Sequence, residues 1–129
     1  SDEYKNAMEQ FYNRHVLRKS ELNDEQLSYL AENPSHFNLD AYHSMWGPSE
    51  FYVTGSLIEL DRFSDLQNIT IPTLFIGGEF DEARPETLAL FQQQAEGSQL
   101  VIIPGASHCG YVEAPEQYSA AVKDFLLED

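Results

Sequence analysis

Hydrophobic positions in the first half of the chain recur at three- and four-residue steps; in the second half they gather into two short continuous runs. Tyr4, Met8, Phe11, Tyr12, His15 and Val16 fall largely on one stripe and predict a helix from Tyr4 to about Lys19. His15 lies on that stripe, where its simplest role is a core-facing histidine hydrogen-bonded to a neighbour. A second helix is expected from Asn23, a good N-cap with Gln26 placed to complete a capping box and Leu22 and Leu27 spaced as a hydrophobic staple. Leu27, Leu30 and Ala31 form its apolar face. Pro34 ends it, because the residue before a proline is disfavoured in the helical region. Asn38 to Trp46 predicts a third, short helix stopped by Gly47 and Pro48. Leu57, Leu60, Phe63 and Leu66 predict a short amphipathic helix or a set of turns.

The pattern then changes. Ile71-Pro-Thr-Leu-Phe-Ile-Gly-Gly-Glu-Phe-Asp81-Glu82 reads as a buried strand that enters a glycine turn and ends on acids. Leu100-Val-Ile-Ile-Pro-Gly-Ala-Ser-His108 is a second apolar run that delivers a histidine from a loop. Between them a helix is expected, with Pro85 in its first turn, Leu88, Phe91 and Ala95 on its inner face and Gly97 at its end. A last helix from Pro115 carries the stripe Tyr118, Ala121, Val122, Phe125 and Leu126. The fold class is therefore α/β. Residues 1–66 form a helical part and residues 67–129 a strand–helix–strand–helix part, with the two strands parallel.

Composition narrows the partners. The chain has 129 residues, 42% of them hydrophobic, enough for one soluble domain with a core. Seven basic residues against 22 acidic ones give a formal charge of −15, which disfavours nucleic acid and anionic membrane surfaces and suits a cationic substrate or simply solubility. The single cysteine, Cys109, excludes an internal disulfide framework and fits a reducing, cytoplasmic setting. No run reaches the ~18 apolar residues of a membrane span, and no signal-peptide pattern opens the chain. No metal or cofactor motif is visible.

The chemistry sits at the two strand ends. In open α/β sheets function gathers at the carboxyl ends of the strands. An acid after a strand most simply caps the next helix. An acid and then a histidine on consecutive strand ends, however, is the order in which an α/β hydrolase presents the last two members of its Ser…Asp…His triad. Asp81 and His108 are the candidates. Upstream, Gly47-Pro-Ser-Glu50-Phe-Tyr-Val-Thr-Gly55 places one carboxylate among aromatics. Glu50 is either a binder of a cation or an exposed loop acid beside a packed cluster.

These stretches together resemble the C-terminal portion of a proline iminopeptidase (prolyl aminopeptidase), a serine peptidase of the α/β-hydrolase fold. The resemblance rests on Phe11-Tyr12-Asn-Arg14-His15-Val16, Met45-Trp46-Gly47-Pro48-Ser49-Glu50-Phe51, Thr54-Gly55, Pro72 through Glu82, Pro85-Glu86-Thr87 and Gly105-Ala-Ser-His108, and it runs over essentially the whole chain. It implies that residues 1–66 are part of a cap over the active site. It implies that Asp81 orients His108, that His108 serves as general base and then general acid, and that Glu50 and Glu82 bind the free α-amino group of a peptide. Trp46, Phe51 and Tyr52 are candidate lining for a proline ring.

The same residues lack one part. No Gly-x-Ser-x-Gly nucleophile elbow occurs among them. Ser107 and Cys109 flank His108 in sequence and Ser49 lies in the cap stretch, so none is a convincing substitute. The isolated chain is expected to be inactive. Two strands also leave a sheet edge and apolar faces uncovered, which predicts a homo-oligomer, a strand exchange, or a missing N-terminal segment. Two other readings fit the Asp and His alone: another α/β hydrolase, such as an esterase or epoxide hydrolase, and a non-catalytic binding module on the same scaffold.

Overall fold

The computed structural model describes residues 1–34 and 38–127. Helix α1 spans Asp2–His15, capped by Ser1, whose hydroxyl accepts the Tyr4 N–H at 3.3 Å. A short 3-10 turn at Lys19–Glu21 leads into α2, Asp24–Glu32. The capping box expected at Asn23 is present: Asn23 Oδ1 accepts the Gln26 N–H at 2.9 Å, and Gln26 Oε1 accepts the Asn23 N–H at 2.8 Å. Helix α3, Leu39–Met45, is capped by Asn38. Gly47 follows it with φ +113°, and a Cβ there would lie 2.4 Å from Thr54 Oγ1, so both the backbone conformation and the space require glycine. Residues 57–66 form turns and the start of a 3-10 helix, Phe63–Asn68.

The second half is the expected parallel unit. Strand β1, Leu74–Gly78, pairs with β2, Gln99–Ile103, in the register Leu74↔Gln99 to Gly78↔Ile103. Helix α4, Pro85–Gln94, connects them and starts on its proline, where the missing N–H costs nothing. Two helices follow β2: α5, Gly110–Glu113, and α6, Pro115–Leu127. Leu88, Ala95, Ile103, Ala106 and Val112 are the buried apolar residues, a small core gathered between the sheet, α4 and α5. Phe91 of α4 packs on Phe75 of β1 and on Phe63.

Two boundaries differ from the sequence expectation. Helix α1 stops at His15 rather than near Lys19, because the carbonyls that would continue it are taken by other amides. His15 O accepts the N–H groups of Glu82 and His108, both at 3.1 Å, and Val16 O accepts that of Cys109 at 2.9 Å. Helix α5 has no counterpart in the hydrophobic pattern. It is a single turn, too short for periodicity to register, and it is separated from α6 at Ala114, just before Pro115.

Candidate active site

Both strands end at the same place, and backbone pairing continues past them. Glu79 N–H donates to Ile103 O at 3.0 Å, and Phe80 N–H to Ala106 O at 2.9 Å. Gly78 makes this approach possible: a Cβ on it would sit 2.4 Å from both Ala106 O and Ser107 O. The chain then presents Asp81, and the facing loop presents His108. Asp81 Oδ1 lies 3.0 Å from His108 Nδ1.

Asp81 is buried, and its carboxylate is held from three sides. Oδ1 also accepts the Ala83 N–H at 2.8 Å, while Oδ2 accepts the Gly78 N–H at 3.3 Å. It therefore closes a tight local turn through Ala83 and meets the imidazole, but it does not cap α4, whose N-cap is Arg84 and which has no side-chain cap bond. The His108 side chain is 51% exposed, against 5% for that of Asp81. A buried acid thus steadies one ring nitrogen and leaves the other edge of the ring accessible.

Glu50 and Glu82 occupy different settings. Glu50 is half-buried and accepts hydrogen bonds from two phenols: Tyr12 OH to Oε1 at 2.6 Å, and Tyr42 OH to Oε2. Burial acts to raise its pKa, but the two phenols outweigh it and hold the carboxyl below the ordinary 4.5. The Tyr12 and Tyr42 hydroxyls are pushed up in turn, first by burial and then by their bonds to Glu50. Glu82 is half-buried, and its pKa is raised: burial dominates, His108 works against it, and the negative charges of Glu50 and Asp81 add to it. The two glutamates therefore feel one another across the site. A cavity of about 360 Å³ opens beside Glu82, with Phe11, His15, Phe80, Asp81 and Pro85 also among its walls; Glu50 and His108 do not line it.

The last turn of α1 braces all of this. Besides the His15 carbonyl bonds, His15 Nδ1 lies 2.7 Å from Phe80 O, so the half-buried histidine has the neighbour expected of it. Phe11 packs edge-on against Phe51 at 5.1 Å between centroids. Arg18 Nη1 donates to Gly105 O at 2.6 Å, and its guanidinium lies 4.6 Å from the centre of the Phe80 ring.

The structure brings Asp81, His108 and Glu82 together and sets Glu50 on the adjoining loop. Of the three aromatics suggested as proline lining, Phe51 packs on Phe11 and Tyr12, and none of the three lines either of the two cavities described. The second of these, about 680 Å³, lies between α2 and the α5–α6 region and includes none of the four candidate residues. Cys109 is half-buried and its thiol pKa is raised, burial being the main cause, which disfavours the thiolate. Ser107 is fully buried and donates its hydroxyl to Glu113 Oε1 at 2.6 Å. Among the described residues no cluster of three or more His, Cys, Asp or Glu side chains is placed to hold a metal ion, and no helix is long and apolar enough to cross a membrane.

Three supporting residues were not singled out from sequence. Tyr12 falls on an apolar stripe, yet a tyrosine there still needs a partner for its hydroxyl, and that requirement is the available signal. Tyr42 offered the same signal on α3. Glu113 had none: its carboxylate accepts from Ser107 N, Ser107 Oγ and Arg18 N, a convergence only the tertiary fold creates.

Comparison with known proteins agrees with this architecture. No protein-family model matches the chain. The proline iminopeptidase of Heyndrickxia coagulans is 39% identical over 127 residues, which cover 98% of this chain and 43% of that protein. The proline iminopeptidase of Saccharolobus solfataricus is 31% identical, over 96% of this chain and 39% of its own length. Among solved structures, the Mycobacterium smegmatis proline iminopeptidase superposes with a TM-score of 0.74 at 34% identity, covering 95% of this chain and 40% of that one. VinJ superposes with the same TM-score at 29% identity. The chain spans about two fifths of the length of the relatives it matches. In sequence and in three dimensions the chain is a homologue of the C-terminal portion of proline iminopeptidases and has the fold of the corresponding part of an α/β hydrolase.

Proposed function

We propose that these residues supply the acid–base and amine-recognition half of a serine-type aminopeptidase site that releases N-terminal proline from peptides. The observation that carries this reading is the Asp81–His108 contact at 3.0 Å beside Glu82, with Glu50 anchored by two phenols on the adjoining loop. In this reading Asp81 fixes the imidazole tautomer through Nδ1. The exposed Nε2 of His108 takes the proton of a serine hydroxyl as that oxygen attacks the scissile carbonyl, then returns it to the leaving amine. Glu50 and Glu82 face the substrate's α-ammonium, so two carboxylates favour a charged N-terminus over an internal amide. Residues 1–66 act as the cap and residues 67–129 as the hydrolase core.

The serine lies outside these residues, which contain no Gly-x-Ser-x-Gly. The 129-residue polypeptide is therefore inactive by itself. It completes its site with a segment bearing the nucleophile, from the same protein or a partner, or associates with its own copies. A single cysteine and the excess of acid support work in the cytoplasm on small cationic peptides. Two measurements test the reading. Pure chain incubated with L-proline 4-nitroanilide releases no nitroaniline; turnover overturns the claim of inactivity. In calorimetric titration the chain binds L-prolinamide at least ~10-fold more tightly than N-acetyl-L-prolinamide, the order expected for a charged contact. Equal affinity overturns the amine clamp.

A further inference from the structure

One turn of α1 is bonded to every loop that carries a candidate residue. Tyr12 OH donates to Glu50 Oε1 at 2.6 Å. One turn on, the single carbonyl of His15 accepts the N–H of Glu82 and the N–H of His108, both at 3.1 Å. Between them Phe11 packs on Phe51, the residue after Glu50, and on the His15 ring at 5.0 Å. The amine-side carboxylate and the catalytic imidazole are otherwise far apart in sequence and sit on different loops.

We propose that the last turn of α1 is a rigid spacer between the amine-binding carboxylate and the catalytic histidine, with Tyr12 as the positioning residue that links Glu50 to the loops of Glu82 and His108. This rests on the amine-clamp reading above and adds what sets its reach. A helical turn is among the stiffest short connections a chain offers, because its backbone groups bond to one another. Pinned at Tyr12 and at His15, it fixes how far a substrate ammonium lies from the imidazole. That fixed reach suits removal of one residue at a time and excludes longer amino-terminal overhangs. Tyr42 bonds the other oxygen of Glu50 but stands on α3, outside this link. The two tyrosines therefore separate the link from mere retention of Glu50.

Residue-resolved amide exchange on the 129-residue chain tests this. Tyr12→Phe removes one hydroxyl and speeds exchange of the Glu82 and His108 amides by about tenfold, the scale of one hydrogen bond to a charged group. Tyr42→Phe leaves those two amides within twofold of wild type. L-Prolinamide slows both amides in wild type and in Tyr42→Phe but not in Tyr12→Phe. Glu50→Gln weakens the same bond from its other end and gives the Tyr12→Phe pattern, so it serves if that variant does not fold. Equal exchange in the Tyr12→Phe and Tyr42→Phe chains, or unchanged exchange in Glu50→Gln, overturns the spacer. If wild type does not prefer L-prolinamide to its acetylated form, the amine clamp is what fails. The ligand-free comparison still decides whether α1 links the loops.

Discussion

Asp81 Oδ1 and His108 Nδ1 stand 3.0 Å apart, one side chain buried and the other half exposed, across the ends of two adjacent parallel strands. Three donors meet the Asp81 carboxylate, and only one of them is the imidazole. Replacing Asp81 with Asn keeps the shape and removes the charge that fixes the ring's tautomer. In any assembly that carries these residues and cleaves proline amides, Asp81→Asn lowers kcat by about 10⁴, the scale for a triad acid, with little change in KM. A loss under tenfold in steady-state kinetics would take Asp81 out of the orienting role.

Glu113 anchors the histidine loop. Ser107 N–H, Ser107 O–H and Arg18 N–H all end on its carboxylate, and Ser107 is fully buried. Glu113→Ala leaves three donors without an acceptor, at roughly 1–3 kcal/mol for each one that water cannot reach. The expected loss is at least ~2 kcal/mol in urea denaturation. Ser107→Ala removes one donor and leaves two, and costs about 1 kcal/mol. Equal effects of the two substitutions would show that the network does not converge on Glu113.

The two site glutamates respond to pH with opposite signs. Glu82 has a raised pKa, so between 4.5 and its folded value the folded state holds a proton that the unfolded state has lost. Stability therefore falls as pH rises through that window. Glu50 has a lowered pKa, so its contribution is present above 4.5 and is lost as pH falls through its folded value. Glu82→Gln should abolish the first slope and Tyr12→Phe should shrink the second, both read from thermal midpoints against pH. L-Prolinamide affinity should rise with pH above 4.5, where Glu50 is already charged and Glu82 is becoming so. An affinity that stays flat as the pH rises from 4.5 would remove Glu82 from the clamp.

How much of this was legible in the sequence depends on where the information sits. The capping box at Asn23, the helix start at Pro85 and the two strand ends are local, set by residue types a few positions apart, and the structure has them as expected. The end of α1 was misplaced by about a turn because the competing donors, Glu82 and His108, lie in distant loops. Glu50 left two readings open. Its phenol partners stand 38 residues before it and 8 residues before it, one on α1 and one on α3, and no spacing rule connects them. Asp81 admits two uses by position, a helix cap or a partner for the imidazole; its carboxylate meets the imidazole and the Ala83 turn, while α4 begins after Arg84 with no side-chain cap.

Gly78 offers a sharp steric test. A Cβ there would meet two backbone carbonyl oxygens, Ala106 O and Ser107 O, each at 2.4 Å, and backbone atoms cannot rotate away as a side chain could. Gly78→Ala should therefore force β1 and the histidine loop apart and cost at least ~2 kcal/mol, at the upper part of the range for overpacking. The loss of the Phe80–Ala106 backbone bond should appear as fast exchange of the Phe80 amide. A variant as stable as wild type would mean that the strand end and the loop do not approach this closely in solution.

Association is the last consequence. The sheet has two strands, and β1 pairs with β2 alone among the described residues. Ile58, Leu60, Ile71, Leu126 and Leu127 are each more than half exposed, with Ile71 and Leu127 at 73%. An unpaired strand edge can accept another strand, and apolar side chains exposed to this degree gain by being covered, at about 25 cal/mol per Å² removed from water. The charge of −15 opposes self-association through repulsion, and salt screens that repulsion over a Debye length of about 8 Å at physiological ionic strength. The chain should therefore sediment as a larger species at high salt and dissociate partly at low salt. A peptide supplying a further parallel strand should compete with that species. A well-folded monomer at high concentration and high salt would show that these surfaces stay uncovered.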